Sequence, residues 1–321
     1  MMRLVKDKKD YVFEYKGIDD VIENVDTYSE VFNKFGLLCF RNAHLDDNGC
    51  LDVLSELSKN FAWTPFSKDF DNQRSSWKYT QNYDERIKTD PDFENGGSSE
   101  SLINRWHLEG MAKIRTQHAA GWNMRHFRCD SGLGETGFIN MLLLAEKLPP
   151  EMLDFLSRSR VIHYPTINRK ITTGAEISRL FMQSVSNLEE QIWCQDGEIE
   201  VACHAHSPLE SHPHSGNSVL RLCPCDEEWG VQHILLSVDS APPSVEQSKF
   251  FEEIHRWLSS ETLNTDNQWW HEWEEGDFVV PDLFVMLHSA KAGFQIGERE
   301  FDGFWCFPNG TPLVPDTFRR N

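Results

Sequence analysis

The sequence predicts a mainly β protein with added helices, an α+β chain built on a β-sandwich or jelly-roll core. Three observations carry this. The C-terminal part is a succession of short aromatic and β-branched runs separated by turns: NQWWHEW (267–273), EEGD (274–277), FVVPDLFVMLHSA (278–290) and REFDGFWCF (299–307). Helical periodicity is confined to a few segments before and between the strand-like runs. The composition is 39% hydrophobic and 12% aromatic over 321 residues, which supplies a sizeable core and excludes a disordered chain.

Each element follows from local pattern. FGLLCF (35–40) reads as a short buried strand. In HLDDNGCLDVLSELSKNFA (44–62), Leu51, Leu54, Leu57 and Phe61 fall near helical spacing, so an amphipathic helix packs on the sheet. QNYDERIKTDPDFENGGSSES (81–101) mixes charge, Gly-Gly and serine and reads as a mobile loop, placed to act as a lid on whatever follows it. FINMLLLAEKLPPEMLDFLSRS (138–159) reads as two helices broken at Pro149-Pro150, with Pro150 suited to the first turn of the second. SVEQSKFFEEIHRWLSS (244–260) opens on a capping box, Ser244 with Gln247, and buries Phe250, Phe251, Ile254, Trp257 and Leu258. Trp269, Trp270 and Trp273 are read as packing, and Pro281 implies an edge, a bulge or a bend in its strand.

Charge and cysteine content narrow the class. The net charge of −20 repels nucleic acid and anionic membrane, and an anionic small molecule would need a local basic anchor. MMRLVKDKKDYVFEY (1–15) has no apolar core of a secretory signal, and no run approaches the roughly 18 apolar residues of a membrane span. A cytoplasmic protein acting on a small molecule is expected, with no nucleic-acid or membrane partner; nothing in the sequence speaks to oligomeric state. Eight scattered cysteines are too few for a disulfide scaffold. The pair Cys223-Pro-Cys225, downstream of His204, His206, His212 and His214, leaves a zinc-dependent hydrolase as one alternative, against free thiols on a strand.

The chemistry concentrates in INRWHLEGM (103–111). Residues i and i+2 of a strand share a face, so His107 and Glu109 can ligate one ion side by side. His288, at the end of the apolar run VMLHSA, can supply a third ligand at the rim of a barrel. Two histidines and a carboxylate on one face of an octahedron leave three positions open, the arrangement of non-haem Fe(II) oxygenases. On these residues alone, a structural histidine and an ordinary surface acid remain the commoner reading.

Five segments, in order, make the chain resemble the taurine dioxygenase-like (TauD/TfdA) family of Fe(II)/2-oxoglutarate dioxygenases. They are GLLCFRNAHLDD (36–47), WHLEG (106–110), GLGETGFINMLLLAEKLP (132–149), HSPLESHPHSGNSVLRL (206–222) and WEEGDFVVPDLFVMLH (273–288). The separation of His107 from His288, 181 residues, also matches the family's long insertion between ligands. The resemblance implies a double-stranded β-helix (jelly roll) and a single domain over 1–321, with 150–265 an insertion carrying helices. It implies Fe(II) held by His107, Glu109 and His288, with 2-oxoglutarate as co-substrate and O2 as oxidant. Decarboxylation of 2-oxoglutarate is then coupled to oxidation, by default hydroxylation, of a small-molecule C–H bond. Arg299, eleven residues after His288, takes the place of the arginine that binds 2-oxoglutarate, for which a guanidinium fork is suited, and Thr136 that of its threonine partner.

Two departures qualify the resemblance. The carboxylate is Glu109 rather than aspartate, as in the clavaminate synthase-like branch, which points to an amino-acid-like substrate and, being retained, argues against halogenation. Where many members carry a second arginine, this chain has Gly303, so a sulfonate substrate is not expected; Arg221 and Arg125 are the candidates to compensate. The alternative from another class is a non-catalytic jelly-roll protein that binds a small molecule and retains the fold.

Overall fold

A computed structural model describes residues 2–61, 63–65, 78–82, 102–109, 118–130, 133–165, 191–196, 199–224, 231–291, 294 and 298–309. Helices are α1 (Ile18–Glu23), α2 (Val25–Phe35), α3 (Asp47–Ser58), α4 (Met141–Lys147), α5 (Pro150–Ser157) and α6 (Val245–Leu263). The first strands are β1 (Val12–Glu14), β2 (Leu37–Arg41), β3 (Trp63–Pro65), β4 (Lys78–Asn82), β5 (Leu102–His107), β6 (Ala119–Phe127) and β7 (Thr136–Asn140). There follow β8 (Ser159–Pro165), β9 (Gln191–Asp196), β10 (Ile199–His206), β11 (Leu209–Ser211), β12 (Ser218–Leu220) and β13 (Val231–Val238). The last are β14 (Gln268–His271), β15 (Phe278–Pro281), β16 (Met286–Lys291) and β17 (Arg299–Pro308). The architecture is mixed and mostly sheet, as the strand-rich C-terminal half predicts.

Local chemistry explains where these elements begin and end. Asp46 caps α3 by accepting the Gly49 N–H at 2.8 Å. The buried face of α3 is Cys50, Val53, Leu54 and Leu57, an i, i+3, i+4, i+7 stripe; Leu51, expected on that face, lies at its edge and is only partly buried. Phe61 is buried just beyond the helix end. The capping box of α6 is present, with Ser244 Oγ accepting the Gln247 N–H and Gln247 Oε1 accepting the Ser244 N–H. Phe251, Ile254 and Leu258 form its core face, while Phe250 and Trp257 pack partly buried beside them. Helix α2 stops at Gly36, whose φ of +68° is the left-handed C-cap conformation, and a Cβ there would lie 2.6 Å from Met286 Cε.

Two expectations change. Phe138–Asn140, read from sequence as helix, end strand β7, because that segment pairs with both β14 and β16. Asn140 then turns the chain, accepting the N–H groups of Leu142 and Leu143 to cap α4. Gln81 and Asn82, read as the start of a loop, belong to β4 and pair with β17; the remainder of 81–101 lies outside the described residues.

The largest sheet runs β1-β2-β15-β6-β17-β3, with β4 also paired to β17. A second, four-stranded sheet runs β14-β7-β16-β5. One core cluster draws on both: Leu37 and Cys39 from β2, Ala120, Trp122 and Met124 from β6, and Phe301 from β17 meet Phe138 of β7 and Met286 of β16. The bend expected at Pro281 is the connection between the two, since β15 ends there and Asp282–Val285 carry the chain over to β16. Within 150–265, strands form a third sheet, β13-β8-β10-β9, and a β11-β12 hairpin. Helices α4, α5 and α6 share a second core cluster with Trp106, Leu108 and Leu287, the residues flanking the candidate ligands.

Close packing at β6 yields a stability prediction. A Cβ on Gly121 would sit 2.4 Å from Phe278 Cζ and 3.0 Å from Leu54 Cδ1. Gly121→Val should therefore overpack the α3 face of the large sheet and cost about 1–3 kcal/mol in denaturant unfolding.

A second prediction concerns pH. His118 precedes β6, its Nδ1 is buried without a hydrogen-bond partner among the described residues, and its ring edge lies against Phe284 at 5.4 Å. Burial pushes its pKa down from 6.5 to about 4, with Asp282 opposing. The unfolded chain takes up a proton near 6.5 that the folded chain refuses until about 4. The stability His118 contributes is thus present above 6.5 and is lost as pH falls through that window. His118→Phe should make the unfolding midpoint less pH-dependent between those values, measured by urea titration across pH.

Candidate metal centre

The centre is built by one antiparallel pairing. β16 lies beside β5 with His288 directly opposite His107, so the two rings share a face with centroids 4.2 Å apart. Glu109 lies two residues past His107, just beyond the strand end rather than on it. Its direction is fixed by the residue between: Leu108 is 3% exposed and its N–H donates to Cys223 Sγ at 3.2 Å. With Leu108 turned into the core, His107 and Glu109 face the other way together. Glu109 Oε1 lies 3.6 Å from His107 Nε2 and 3.7 Å from His288 Nε2. The three ligand atoms lie within 4.8 Å of one another.

This arrangement fits a divalent ion. The Nδ1–H of His288 donates to the Met286 carbonyl at 3.3 Å, which leaves the Nε2 lone pair turned toward Glu109. A lone pair facing a carboxylate is repulsive unless a cation lies between, and an ion about 2 Å from each atom does so. Burial pushes His288 below its ordinary pKa, and the neighbouring His107 adds to this, so the neutral ligand form persists at lower pH. Without an ion, burial works against the Glu109 anion, but hydrogen bonds and charge from protonated His107 and His288 hold its carboxyl well below the usual range.

A second set of groups lies along β7. Thr136 and Phe138 sit on one face, paired across the ladder with Ala290 and His288 of β16. Arg299, 3% exposed at the start of β17, donates from Nη2 to Thr136 Oγ1 at 3.1 Å. Trp273 Nε1 donates to the same oxygen at 2.9 Å. The guanidinium carbon lies 5.1 Å from the Phe301 ring centroid and 5.9 Å from that of Trp273. Four side chains from three segments thus form an aromatic-walled cationic corner beside the strand that carries His288. Trp273 is core packing, as expected, but it also orients Thr136; its place in WEEGD was the available signal. The contributions of Trp122 and Phe301 went unread in the sequence, although the alternation in AAGWNMRHF (119–127) sets Trp122 on the inner face.

Other candidates fall elsewhere. Arg125 binds Asp302, Asp47 and the Leu45 carbonyl on the α3 side of the sheet. Arg221 donates to the Phe284 carbonyl and stacks on that ring at 4.3 Å. Neither replaces the arginine missing at Gly303. Of the histidine cluster, His212 Nε2 is 2.9 Å from Asp282 and His206 Nδ1 is 2.9 Å from the Ser207 carbonyl. They form no metal-sized group among the described residues; Cys225 and the His204 side chain lie outside them. Cys223, expected on a strand, follows β12 and anchors Leu108. A further trio, Cys39, His271 and Asp277, lies within metal-ligand range, but Arg41 Nη1 is 3.0 Å from Asp277 and supplies the positive charge there.

Comparison with known proteins agrees with this geometry. Residues 12–305 match the family described as "Taurine catabolism dioxygenase TauD, TfdA family". The chain belongs to that family and is a non-haem Fe(II)/2-oxoglutarate-dependent dioxygenase, a class that uses Fe(II), 2-oxoglutarate and O2. No curated protein matches the chain significantly. Among solved structures, a taurine dioxygenase from Burkholderia xenovorans shares 15% identity, covering 89% of this chain and 82% of its own at a TM-score of 0.56. A putative alpha-ketoglutarate dependent 2,4-D dioxygenase from the same organism shares 15% identity, covering 92% of each chain at a TM-score of 0.52. AAD-2, in complex with Mn(II) and N-oxalylglycine, shares 13% identity, covering 98% of this chain and all of its own (100%) at a TM-score of 0.56. At these identities the likeness is one of fold.

The ligand geometry predicts that Glu109→Gln weakens divalent-metal binding by more than the roughly 10–100-fold that loss of an outer partner costs. Calorimetric titration with Co(II) or Zn(II) checks this; unchanged affinity would remove Glu109 from the site.

Proposed function

We propose that this protein holds Fe(II) with His107, Glu109 and His288 and anchors the distal carboxylate of 2-oxoglutarate on Arg299 and Thr136. On this reading it oxidises, most often by hydroxylation, a C–H bond of a small molecule. The observation that carries the reading is the convergence of the three ligand atoms within 4.8 Å, with Thr136, on the strand beside β16, bonded to Arg299 of β17. When bound, the iron with 2-oxoglutarate and O2 supplies the oxidant, and succinate and CO2 are released. The chain's own part is to bind and orient. Arg299 offers a planar fork of donors to a carboxylate, and its burial among Phe301, Phe294 and Trp273 strengthens that attraction by excluding water. Thr136, already accepting from Arg299 and Trp273, keeps its hydroxyl proton to donate to the same carboxylate.

The finer assignments belong to the same proposal. The fold is read as a double-stranded β-helix in one domain, supported by the core cluster shared between the two larger sheets. The segment 150–265 is read as an insertion that packs against the ligand strands, supported by the cluster joining α6 to Trp106, Leu108 and Leu287. An amino-acid-like substrate is read from the Glu109 form of the motif. A cytoplasmic setting is supported by the unbridged thiols of Cys39, Cys50, Cys129 and Cys306. Among the described residues no helix is long and apolar enough to cross a membrane. No observation favours a non-catalytic binding protein.

Anaerobic addition of Fe(II) and 2-oxoglutarate should give a weak visible charge-transfer band. His288→Ala should abolish it, and Arg299→Ala should raise the 2-oxoglutarate concentration needed by roughly tenfold or more, the loss of a charge-assisted pair. A wild-type protein with neither the band nor succinate formation in air would refute the cofactor assignment.

A further inference from the structure

We propose that the indole N–H of Trp122 is an additional hydrogen-bond donor to 2-oxoglutarate, beyond Arg299 and Thr136; this rests on the reading of the site given above. Trp122 lies on the inner face of β6, in the cluster that also holds Phe138, Trp273 and Phe301. It is 3% exposed, and its ring stands 5.2 Å from that of His288, is stacked on Phe138 at 5.9 Å and lies 6.2 Å from Phe301. Phe301 in turn lies 5.1 Å from the Arg299 guanidinium. The indole is therefore the wall between the metal-ligand histidine and the arginine assigned to the far carboxylate, along the span that a co-substrate bound to both must cross.

The polar atom of that wall lacks an acceptor. Trp122 Nε1 is buried and, among the described residues, makes no hydrogen bond. Three other indoles near the site are bonded: Trp273 to Thr136, Trp269 to Tyr11 and Trp270 to Gln268. Trp63, also buried without an acceptor, belongs to the separate core cluster under α3. A buried donor with no acceptor is disfavoured, so such groups in native proteins mark a missing partner. Of its ring neighbours, Phe138 and Phe301 have no side-chain acceptor, and the Nε2 of His288 is turned toward Glu109. 2-Oxoglutarate has two carboxylates and a ketone, all acceptors.

Gly303 belongs to the same arrangement. It is the direct cross-strand partner of Trp122 on the inner face of β17. The position that the family resemblance fills with a second cation thus faces a neutral aromatic donor across the ladder, and among the described residues the corner's positive charge comes from Arg299.

The test uses the full chain labelled with ¹⁵N-tryptophan and loaded with Zn(II), which is diamagnetic. Trp122→Phe keeps a ring and removes the donor, so it identifies the Trp122 indole signal by its absence. Saturating 2-oxoglutarate should move that signal downfield in the wild type. In anaerobic Fe(II) titrations, Trp122→Phe should bind 2-oxoglutarate about tenfold more weakly with unchanged metal affinity, a loss of roughly 1.4 kcal/mol. If the variant does not fold, Mn(II) broadening in the wild type picks out the indoles nearest the metal, and one of these must respond to 2-oxoglutarate in the Zn(II) form. An unmoved signal, or a variant with wild-type 2-oxoglutarate affinity, overturns the proposal. A wild type with no Fe(II)/2-oxoglutarate band refutes instead the underlying reading of the site.

Discussion

The antiparallel pairing of β16 with β5 is the constraint on which the site depends. It places His288 across from His107, and a slip of one residue would turn one of the two rings to the opposite face. Holding that register is the task of the surrounding structure. β7 pairs with the other edge of β16, from Met286↔Asn140 to Ala290↔Thr136, so the histidine strand is clamped on both sides. Cys223 takes the Leu108 N–H, and α6 packs in the cluster that contains Leu108 and Leu287. The described parts of the segment between the two candidate ligands thus pack against the candidate metal centre.

The same strand, β7, couples the metal ligands to the cationic corner. Thr136 and Phe138 are two residues apart and face the same way, one toward Arg299 and the other beside His288 and Trp122. On the proposed reading, spacing along one strand therefore sets the distance between the two ends of a bound dicarboxylate. In a chain of net charge −20, a dianion is repelled by the protein as a whole. The attraction has to be local, and in the proposed site buried Arg299 among aromatic rings would supply it at low dielectric.

Local elements were largely legible from sequence. The Ser244–Gln247 capping box, the break before α5 at Pro149-Pro150 and the bend at Pro281 all depend on chemistry within a few residues, and all stand where the pattern puts them. Errors arose where tertiary pairing outweighs local preference. Phe138–Asn140 carry a helix-compatible pattern but gain strand partners on both sides. Leu51 has helical spacing, yet the packing direction of α3 favours Cys50 and Val53.

The candidate site divides in the same way. Residue types and separations in the chain, His107 with Glu109, then His288, then Arg299 eleven positions on, determined which side chains were available for a metal and a carboxylate. That these groups converge, that Arg125 and Arg221 face elsewhere, and that Trp122 fills the space opposite Gly303 was decided only by the tertiary structure. The reason is physical. Ligand chemistry is a property of side chains and is written in the sequence, whereas convergence depends on β-sheet register between segments nearly two hundred residues apart, which local pattern does not encode.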